Sequence, residues 1–200
     1  MLISALVVVP LAHADTGGAS AIVQRLDDTL LSVLKEGDTL GYDGRFKRLQ
    51  PVMQQTFDFD YMAEKALGPQ WAQLSAADQA SWRQLFAEFT VANYAANFDR
   101  FTGQRFEMVG EEASTGGTRL VKTKVISPGV DDVVLTYRLQ NANGGWRIID
   151  VFLKGTVSEL ALRRADYSSV LQREGFAALT NVVRGKIADL AAGRAKRERP

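Results

Sequence analysis

The segment Trp146–Leu153 constrains the fold of this chain more than any other part of the sequence. It reads WRIIDVFL, leaves a Gly-Gly turn, and places apolar side chains on both faces of a strand, with Asp150 standing among them. A strand that is apolar on both faces is typically buried on both faces. The segment therefore predicts one wall of an apolar interior. It contains no catalytic motif, which favours a binding protein over an enzyme.

Helical periodicity precedes this strand. Apolar residues recur at helical spacing over Ala19–Leu34, Tyr42–Gln55 and Ala76–Phe101, which is the pattern of helices with one buried stripe. Gly37 and Gly41 are expected to end the first helix and open a loop, because glycine favours chain breaks of this kind.

Capping and breaking residues divide the helical region further. Pro51 is expected to interrupt or restart the second helix. Asp58 or Asp60 is expected to cap a short helix that Gly68-Pro69 breaks. Ser75, with an acid three residues later, has the form of a capping box and is expected to start the longest helix.

The period of the pattern changes from helical to two at about Gln104. Strands are expected after Gln104, over Leu120–Ile126, Val133–Leu139 and Trp146–Leu153, followed by helices at about Val157–Gln172 and Phe176–Ala192. This order of elements, with helices before and after an antiparallel meander, predicts an α+β fold. A curved antiparallel four-stranded sheet is expected to pack against several helices. No internal repeat or linker is visible, so residues 15–192 are expected to form a single domain.

The N-terminus is expected to be a signal peptide covering residues 1–14. Leu2–Leu11 is apolar, and Ala12-His13-Ala14 supplies a small-x-small cleavage site that would leave Asp15 as the first mature residue. The apolar run is shorter than the roughly 20 residues that a membrane-spanning helix needs. No Lys or Arg precedes it, which leaves open a start upstream of Met1. The alternative interpretation is a buried N-terminal strand.

The chemistry available to the mature chain is narrow. His13 is the only histidine and the sequence has no cysteine, so cleavage would remove thiol catalysis, histidine-based triads and the usual zinc ligand sets. The net charge of +1 implies no polyanion such as nucleic acid as a partner. Arg163-Arg164 is expected to lie on a solvated face. Residues 193–200 are expected to form a basic disordered tail, which could contact anionic headgroups.

Aromatic residues are concentrated between Phe57 and Phe101. For any single member, packing in an ordinary core is the favoured interpretation. The sharper interpretation is that several line an apolar cavity that accepts lipid tails. Burying one CH₂ group gains about 0.8 kcal/mol, so a tail of roughly sixteen carbons would cost about 12 kcal/mol to expose to water.

The faces of the predicted strands assign further lining residues. Strict alternation groups Ile149 with Val151 and Leu153 on an uncharged face, and groups Ile148 with Asp150 on the other. We expect the uncharged face to line the cavity, although a slip of one residue would invert this assignment.

Asp150 is an acid in a strand that is otherwise expected to be buried. Such a group must be paired or hydrogen-bonded. The favoured interpretation is a structural bond to backbone amides near Gly155–Ser158 or to an arginine. The functional interpretation is a general base, which would need a partner to polarise its substrate.

The same region resembles a known family. Trp146, Ile148, Asp150, Val151, Gly155, Val157 and Ser158, followed by Tyr167 and Gly175, are similar to the pattern of the MlaC-type periplasmic lipid carriers. The segment GTVSELALRRADYSSVL resembles the hopanoid-associated HpnM branch most closely, and weaker similarity extends over roughly residues 41–190. The resemblance implies an NTF2-like/MlaC-like fold with an internal apolar cavity between sheet and helices.

These observations together predict a carrier that binds lipid without a cofactor or metal. The expected lipid-binding residues are Phe57, Tyr61, Met62, Leu67, Trp71, Phe86, Phe89, Tyr94, Phe98, Val121, Val125, Val133, Leu135, Tyr137, Ile149, Val151 and Leu153. The ligand would be a hopanoid or a phospholipid. The resemblance implies an inner-membrane lipid ABC transporter with an MCE-domain protein as partner, and an outer-membrane lipoprotein complex as a possible second one.

Two other classes of function stay open. One is an exported NTF2-like isomerase or dehydratase acting on a small cyclic substrate, with Asp150 as base and Tyr61 or Tyr94 as its partner. The other is a ligand-free adaptor of cell-envelope assembly. Co-purified lipid would distinguish the carrier from both.

Overall fold

The computed structural model describes residues 18–142 and 144–194. The proposed signal peptide, residues 1–14, and residues 195–200 of the proposed tail lie outside the described residues and stay predictions. The elements follow in the order α1 (Ala19–Lys35), α2 (Gly37–Thr56), α3 (Phe59–Leu67), α4 (Ala76–Asn97), β1 (Arg105–Ala113), β2 (Arg119–Ile126), β3 (Val133–Ala142), β4 (Gly145–Leu153), β5 (Val157–Ser158) and α5 (Glu159–Ala191). The predicted α+β class is confirmed.

The sheet has five antiparallel strands in the order β1-β2-β3-β4-β5, so the prediction of four strands was wrong. The additional strand β5 pairs with the end of β4, Phe152 with Ser158 and Leu153 with Val157. The chain reverses between them through positive φ angles at Lys154 and Gly155. Two residues are too few to show a period, so the sequence pattern assigned Val157 to the following helix instead.

The second helix departs from its prediction in two ways and agrees with it in one. It begins at Gly37, so residues 37–40 are helical where a loop was expected. The expected break at Gly41 is present, because its φ of 58° and ψ of −178° are not helical. Pro51 lies inside the helix without interrupting it. Pro51 lies on the exposed side of the helix. Proline has no backbone N–H to donate to the carbonyl group one turn earlier, so water can hydrate that carbonyl group instead.

Two of the predicted helix caps are present. The Asp58 carboxylate accepts a hydrogen bond from the Tyr61 amide at 2.9 Å, and the Ser75 hydroxyl accepts one from the Asp78 amide at 3.1 Å. Each cap contributes about 1 kcal/mol to helix stability in typical cases. Helix α4, which Ser75 caps, ends at Asn97 rather than at Phe101.

Gly175 divides α5 into two arms, residues 159–174 and 176–191, because its φ of 83° and ψ of 177° are not helical. The predicted division into two helices at this point is confirmed, although the first arm begins at Glu159 rather than at Val157. No helix in the described part of the chain has the length and hydropathy that a membrane span requires.

The helices pack against the sheet face that carries Val121, Leu135 and Tyr137, which are at most 5% exposed. Trp82 of α4 is fully buried among the helices, and its indole donates a hydrogen bond to the Ala63 carbonyl at 3.0 Å. The chain at Phe57 runs beside β4, where the Asp58 amide donates to the Ile148 carbonyl at 2.8 Å. These contacts fix α3 and α4 over the sheet.

A β-bulge in β4 changes the predicted faces of that strand. Leu139 pairs with Ile148 and Arg138 pairs with Asp150, so Ile149 is an additional residue. The bulge brings Ile148 into the core with Val151, whereas Ile149 is buried outside the core cluster. The assignment of Ile148 to the face of Asp150 was therefore wrong, because strict alternation fails at a bulge.

Candidate functional site

A pocket of about 340 Å³ lies between α4, the paired strands β3 and β4, and both arms of α5. Its volume is near the lower end of the range of about 300–1,000 Å³ that is typical of ligand sites. The pocket is partly open to solvent, and Leu162, with 50% of its surface exposed, stands at its opening.

Six of the side chains that line the pocket are apolar or aromatic, and we call this set the floor: Phe89, Tyr94, Phe98, Leu135, Val151 and Leu153. The rings of Tyr94 and Phe98 stack with their centroids 5.7 Å apart, and Phe57 meets Tyr94 edge-on at 6.0 Å. These ring contacts hold the floor in a fixed shape, since such pairs add to the energy of burial alone.

Six other lining side chains are polar or charged, and we call this set the rim: Asn93, Asn97, Glu159, Arg163, Asp166 and Lys186. Glu159, Arg163 and Asp166 lie on one side of the first arm of α5, at the helical spacing of three and four residues. Lys186 comes from the second arm. A pocket that is lined by both an apolar and a charged set of side chains suits an amphiphilic ligand.

Arg163 is held in place by side chains of α4. Its guanidinium lies 4.9 Å from the centroid of Phe89 and 5.6 Å from that of Phe86. It donates a hydrogen bond to the Thr90 hydroxyl at 3.3 Å. A guanidinium fixed by two rings and one bond keeps other N–H donors available.

Two polar atoms in the lining have no hydrogen-bond partner among the described residues, the Tyr167 hydroxyl and the Asn97 side-chain oxygen. Tyr167 is only 3% exposed, and its ring meets Trp82 edge-on at 5.1 Å. Burial raises the pKa of Tyr167, and the nearby Arg163 guanidinium opposes this. The two groups are close but do not meet in hydrogen-bonding geometry.

Six of the predicted lipid-binding residues line the pocket, and they are the members of its floor. Phe57, Met62, Leu67, Phe86, Val121 and Tyr137 are buried in the core, and Tyr61, Trp71, Val125 and Val133 are partly buried against it. Ile149 is buried outside the core cluster. The structure thus brings the floor residues together and leaves the others in the packing. Lipid binding by any of them stays a prediction.

The charged rim was not predicted from the sequence. Arg163 was interpreted as part of a solvated face, because its spacing from Glu159 and Asp166 on a single helix does not show which of these charges faces a pocket. Lys186 gave no signal either, because it reaches the pocket only through the kink at Gly175.

Asp150 does not line the pocket. Its carboxylate accepts hydrogen bonds from the Val151 amide at 2.8 Å, the Leu160 amide at 3.2 Å and the Ser158 hydroxyl at 2.6 Å. The predicted structural bond is present, with Leu160 supplying one of the amides. Asp150 joins the end of β4 to the start of α5 and so helps to position the first arm.

Asp27 is a second buried acid, and its burial was not predicted from the sequence. It is 2% exposed on α1, and its carboxylate accepts a hydrogen bond from the Tyr137 hydroxyl at 3.4 Å. Burial raises the pKa of Asp27 from 3.8 to about 7; the bond from Tyr137 opposes this, and the charge of Asp28 adds to it. In the described ranges, no group of three or more acidic or histidine side chains could hold a metal ion.

The fold and the pocket place this chain among α+β proteins that carry a ligand-sized pocket between a sheet and its covering helices. The MlaC protein family model matches residues 24–184. The chain therefore belongs to the MlaC protein family. The match does not distinguish the hopanoid-associated branch, which stays a prediction.

A solved structure shares this fold. It is that of a phospholipid-binding protein from Ralstonia solanacearum in complex with a phospholipid, with a TM-score of 0.75 over 86% of this chain and 98% of the other. The two sequences are 21% identical, so the likeness shows a common fold. No curated protein matches this sequence.

Proposed function

We propose that this protein is a periplasmic carrier that moves a phospholipid or a hopanoid between inner- and outer-membrane complexes. The observation that carries the proposal is the apolar floor of the pocket, in a chain that belongs to the MlaC family. The phospholipid held by the Ralstonia solanacearum protein of the same fold supports it. The compartment rests on the signal-peptide pattern over residues 1–14.

The proposed chemistry is transfer, not catalysis. A lipid tail of roughly sixteen carbons costs about 12 kcal/mol to expose to water, so a lipid that crosses an aqueous space needs an enclosing protein. A general base would have to reach the substrate, but all three hydrogen bonds of Asp150 fix the local fold and Asp150 is absent from the pocket lining.

The proposed partners follow from the resemblance of the sequence to lipid carriers of this type. They are an inner-membrane lipid ABC transporter with an MCE-domain protein and an outer-membrane lipoprotein complex. Mixing the purified proteins and measuring transfer of lipid to and from each would identify the donor and the acceptor.

The experiment that tests the proposal measures lipid on the purified protein. Native mass spectrometry is expected to show a bound lipid, and the protein is expected to move labelled lipid between vesicle populations. Val151→Trp would place an indole in the pocket, so we expect it to remain folded and lose the lipid.

Ala95→Trp provides the comparison for that variant. Ala95 is fully buried but does not line the pocket, so the indole would overpack the core and lower the stability by about 1–3 kcal/mol. Full lipid occupancy in folded Val151→Trp protein would contradict binding at this pocket. A lipid-free wild type that turns over a small cyclic substrate would favour the isomerase.

A further inference from the structure

Arg163 presents a fixed cation at the rim of the pocket. The rings of Phe86 and Phe89 and the hydroxyl of Thr90 hold its guanidinium on the side of α4. A guanidinium has five N–H donors in a planar fork, which matches the geometry of phosphate and carboxylate oxygens. The remaining donors of this fork are available to a ligand that enters the pocket.

The Tyr167 hydroxyl is a second group that lacks a partner. It lies in the pocket wall beside Arg163, belongs to a residue that is only 3% exposed, and makes no hydrogen bond within the described part of the chain. A buried hydroxyl without a partner costs about as much free energy as a lost hydrogen bond, and a native structure usually satisfies it. A ligand oxygen at this position would satisfy it.

Lys186 adds a second cation from the opposite arm of α5. Glu159 and Asp166 belong to the same rim. The rim therefore carries two cations, Arg163 and Lys186, and two carboxylates. The carboxylates disfavour a free phosphate, which carries up to two negative charges, more strongly than a phosphodiester, which carries one. The rim therefore favours a phosphodiester that is attached to an apolar body.

From these contacts we infer that Arg163 anchors the phosphodiester of a bound lipid, with the Tyr167 hydroxyl donating to it and Lys186 adding attraction from the second arm. The inference rests on the proposed carrier function and specifies which lipid the pocket prefers. The acyl tails would lie on the floor formed by residues such as Phe89, Phe98 and Val151. A headgroup without phosphate, such as that of a polycyclic terpenoid, would leave Arg163 and Tyr167 unsatisfied.

The test compares two lipids that differ only in the phosphodiester headgroup. Delipidated full-chain protein is incubated with vesicles that contain equal amounts of dioleoyl phosphatidylglycerol and dioleoylglycerol, and native mass spectrometry measures the ratio of the two on the protein. Wild type is expected to prefer the phospholipid by about tenfold or more, the factor that one charge-assisted hydrogen bond supplies.

Three variants separate the role of Arg163 from general effects. Arg163→Gln is expected to lower the ratio toward that of the vesicles, because the phosphodiester loses its charge-assisted hydrogen bond. Tyr167→Phe is expected to lower the ratio as well, with no loss of thermal stability, because the hydroxyl makes no internal bond. Arg164→Gln removes a charge from the exposed neighbouring position outside the pocket and is expected to keep the wild-type ratio.

The possible outcomes distinguish this inference from the proposed function. An absence of both lipids from wild type would contradict the carrier itself. Equal binding of both lipids, or an unchanged ratio in Arg163→Gln and Tyr167→Phe, would overturn the anchor and leave the carrier standing. Arg163-dependent binding of inorganic phosphate, without any preference between the lipids, would also overturn it, because the site would then serve a free anion.

Discussion

At the scale of single residues, Asp27 places an acid in the apolar stripe of α1. Its neighbours Val23, Leu26 and Leu30 are all fully buried. The native state raises the pKa of Asp27 to about 7 through burial, so it holds the proton more tightly than the unfolded chain does. The protonated form therefore favours folding, and that contribution is lost as the pH rises from about 4 to about 7.

Replacing Asp27 removes this pH dependence. The difference between 3.8 and about 7, at about 1.4 kcal/mol for each pH unit, corresponds to about 4 kcal/mol. We expect Asp27→Asn to be more stable than wild type by about 2–4 kcal/mol at pH 8 and nearly equal to it at pH 4. Urea unfolding of wild type and variant between pH 4 and pH 8 measures these differences in stability.

Asp28→Asn is the matched control, because Asp28 is the exposed neighbour of Asp27 on the same helix. It is expected to keep nearly the whole pH dependence of wild type. A wild-type protein whose stability is constant between pH 4 and pH 8, or rises over that range, would contradict the raised pKa.

Asp150 gives the second prediction at this scale. Asp150→Asn keeps the shape of the side chain but removes its charge, and its amide group cannot accept from the Val151 amide, the Leu160 amide and the Ser158 hydroxyl equally well. We expect the variant to lose about 1–3 kcal/mol of stability and to keep binding lipid when folded. Chemical unfolding and lipid extraction measure the two effects, with exposed Asp131→Asn as control. A normal stability with loss of lipid would show that Asp150 acts in the site.

The two charged residues Asp150 and Arg163 show how far the sequence reveals the site. An acid in a buried strand must find partners, so the structural role of Asp150 could be predicted together with its approximate location. Arg163 lies in a helix with many charged residues, and a pattern of charges along a helix does not tell which of them faces a pocket. Its role depends on Phe86 and Phe89, which belong to a distant segment.

At the scale of secondary-structure elements, the kink of α5 assembles the rim. Its two arms carry Arg163 and Lys186 to the same pocket, and Gly175 connects them with φ 83° and ψ 177°. Residues other than glycine rarely adopt this conformation, and the cost is about 1–3 kcal/mol. A Cβ atom at this position would meet no other atom within 4 Å, so backbone strain alone would set the effect of a substitution.

Gly175→Ala is therefore expected to lower the stability by about 1–3 kcal/mol and to weaken lipid retention, since a straighter α5 would move Lys186 away from Arg163. Gly185→Ala is the matched control, because Gly185 lies within the second arm with open space around it and no positive φ. This control is expected to gain about 0.5–1 kcal/mol. Urea unfolding and lipid extraction of both variants measure the difference, and equal effects at the two positions would contradict the role of the kink.

The elements that followed one regular period were predicted well, and those that break a period were not. The stripe of α1 gave that helix to within one residue at its end. The bulge at Ile149 and the two-residue strand at Val157–Ser158 left no periodic signal. Pro51 was expected to break α2, but its exposure lets the helix continue. In each case a tertiary contact or exposure to solvent outweighs the preference that the local sequence indicates.

At the scale of the whole molecule, the proposed lipid would lie between sheet and helices and so add to the buried apolar contacts. A ligand that binds only the native state stabilises it, by about 2.7 kcal/mol when its free concentration is 100 times its dissociation constant. For a protein of this size, 1 kcal/mol corresponds to roughly 2–4 °C in melting temperature. We expect delipidated protein to melt about 5–10 °C below the lipid-bound form, and added phospholipid to restore the higher value.

Two tryptophan variants locate that effect in the pocket. Val151→Trp fills the floor, so its melting temperature is expected to be the same with and without lipid. Val182→Trp introduces the same side chain on the exposed surface of α5, where Val182 is 41% exposed, and should keep the wild-type dependence on lipid. Differential scanning calorimetry on matched lipid-free and lipid-loaded samples measures both. An equal lipid-dependent shift in Val151→Trp and wild type would mean that lipid binds elsewhere, because an indole on the pocket floor and the lipid tails cannot occupy the same volume.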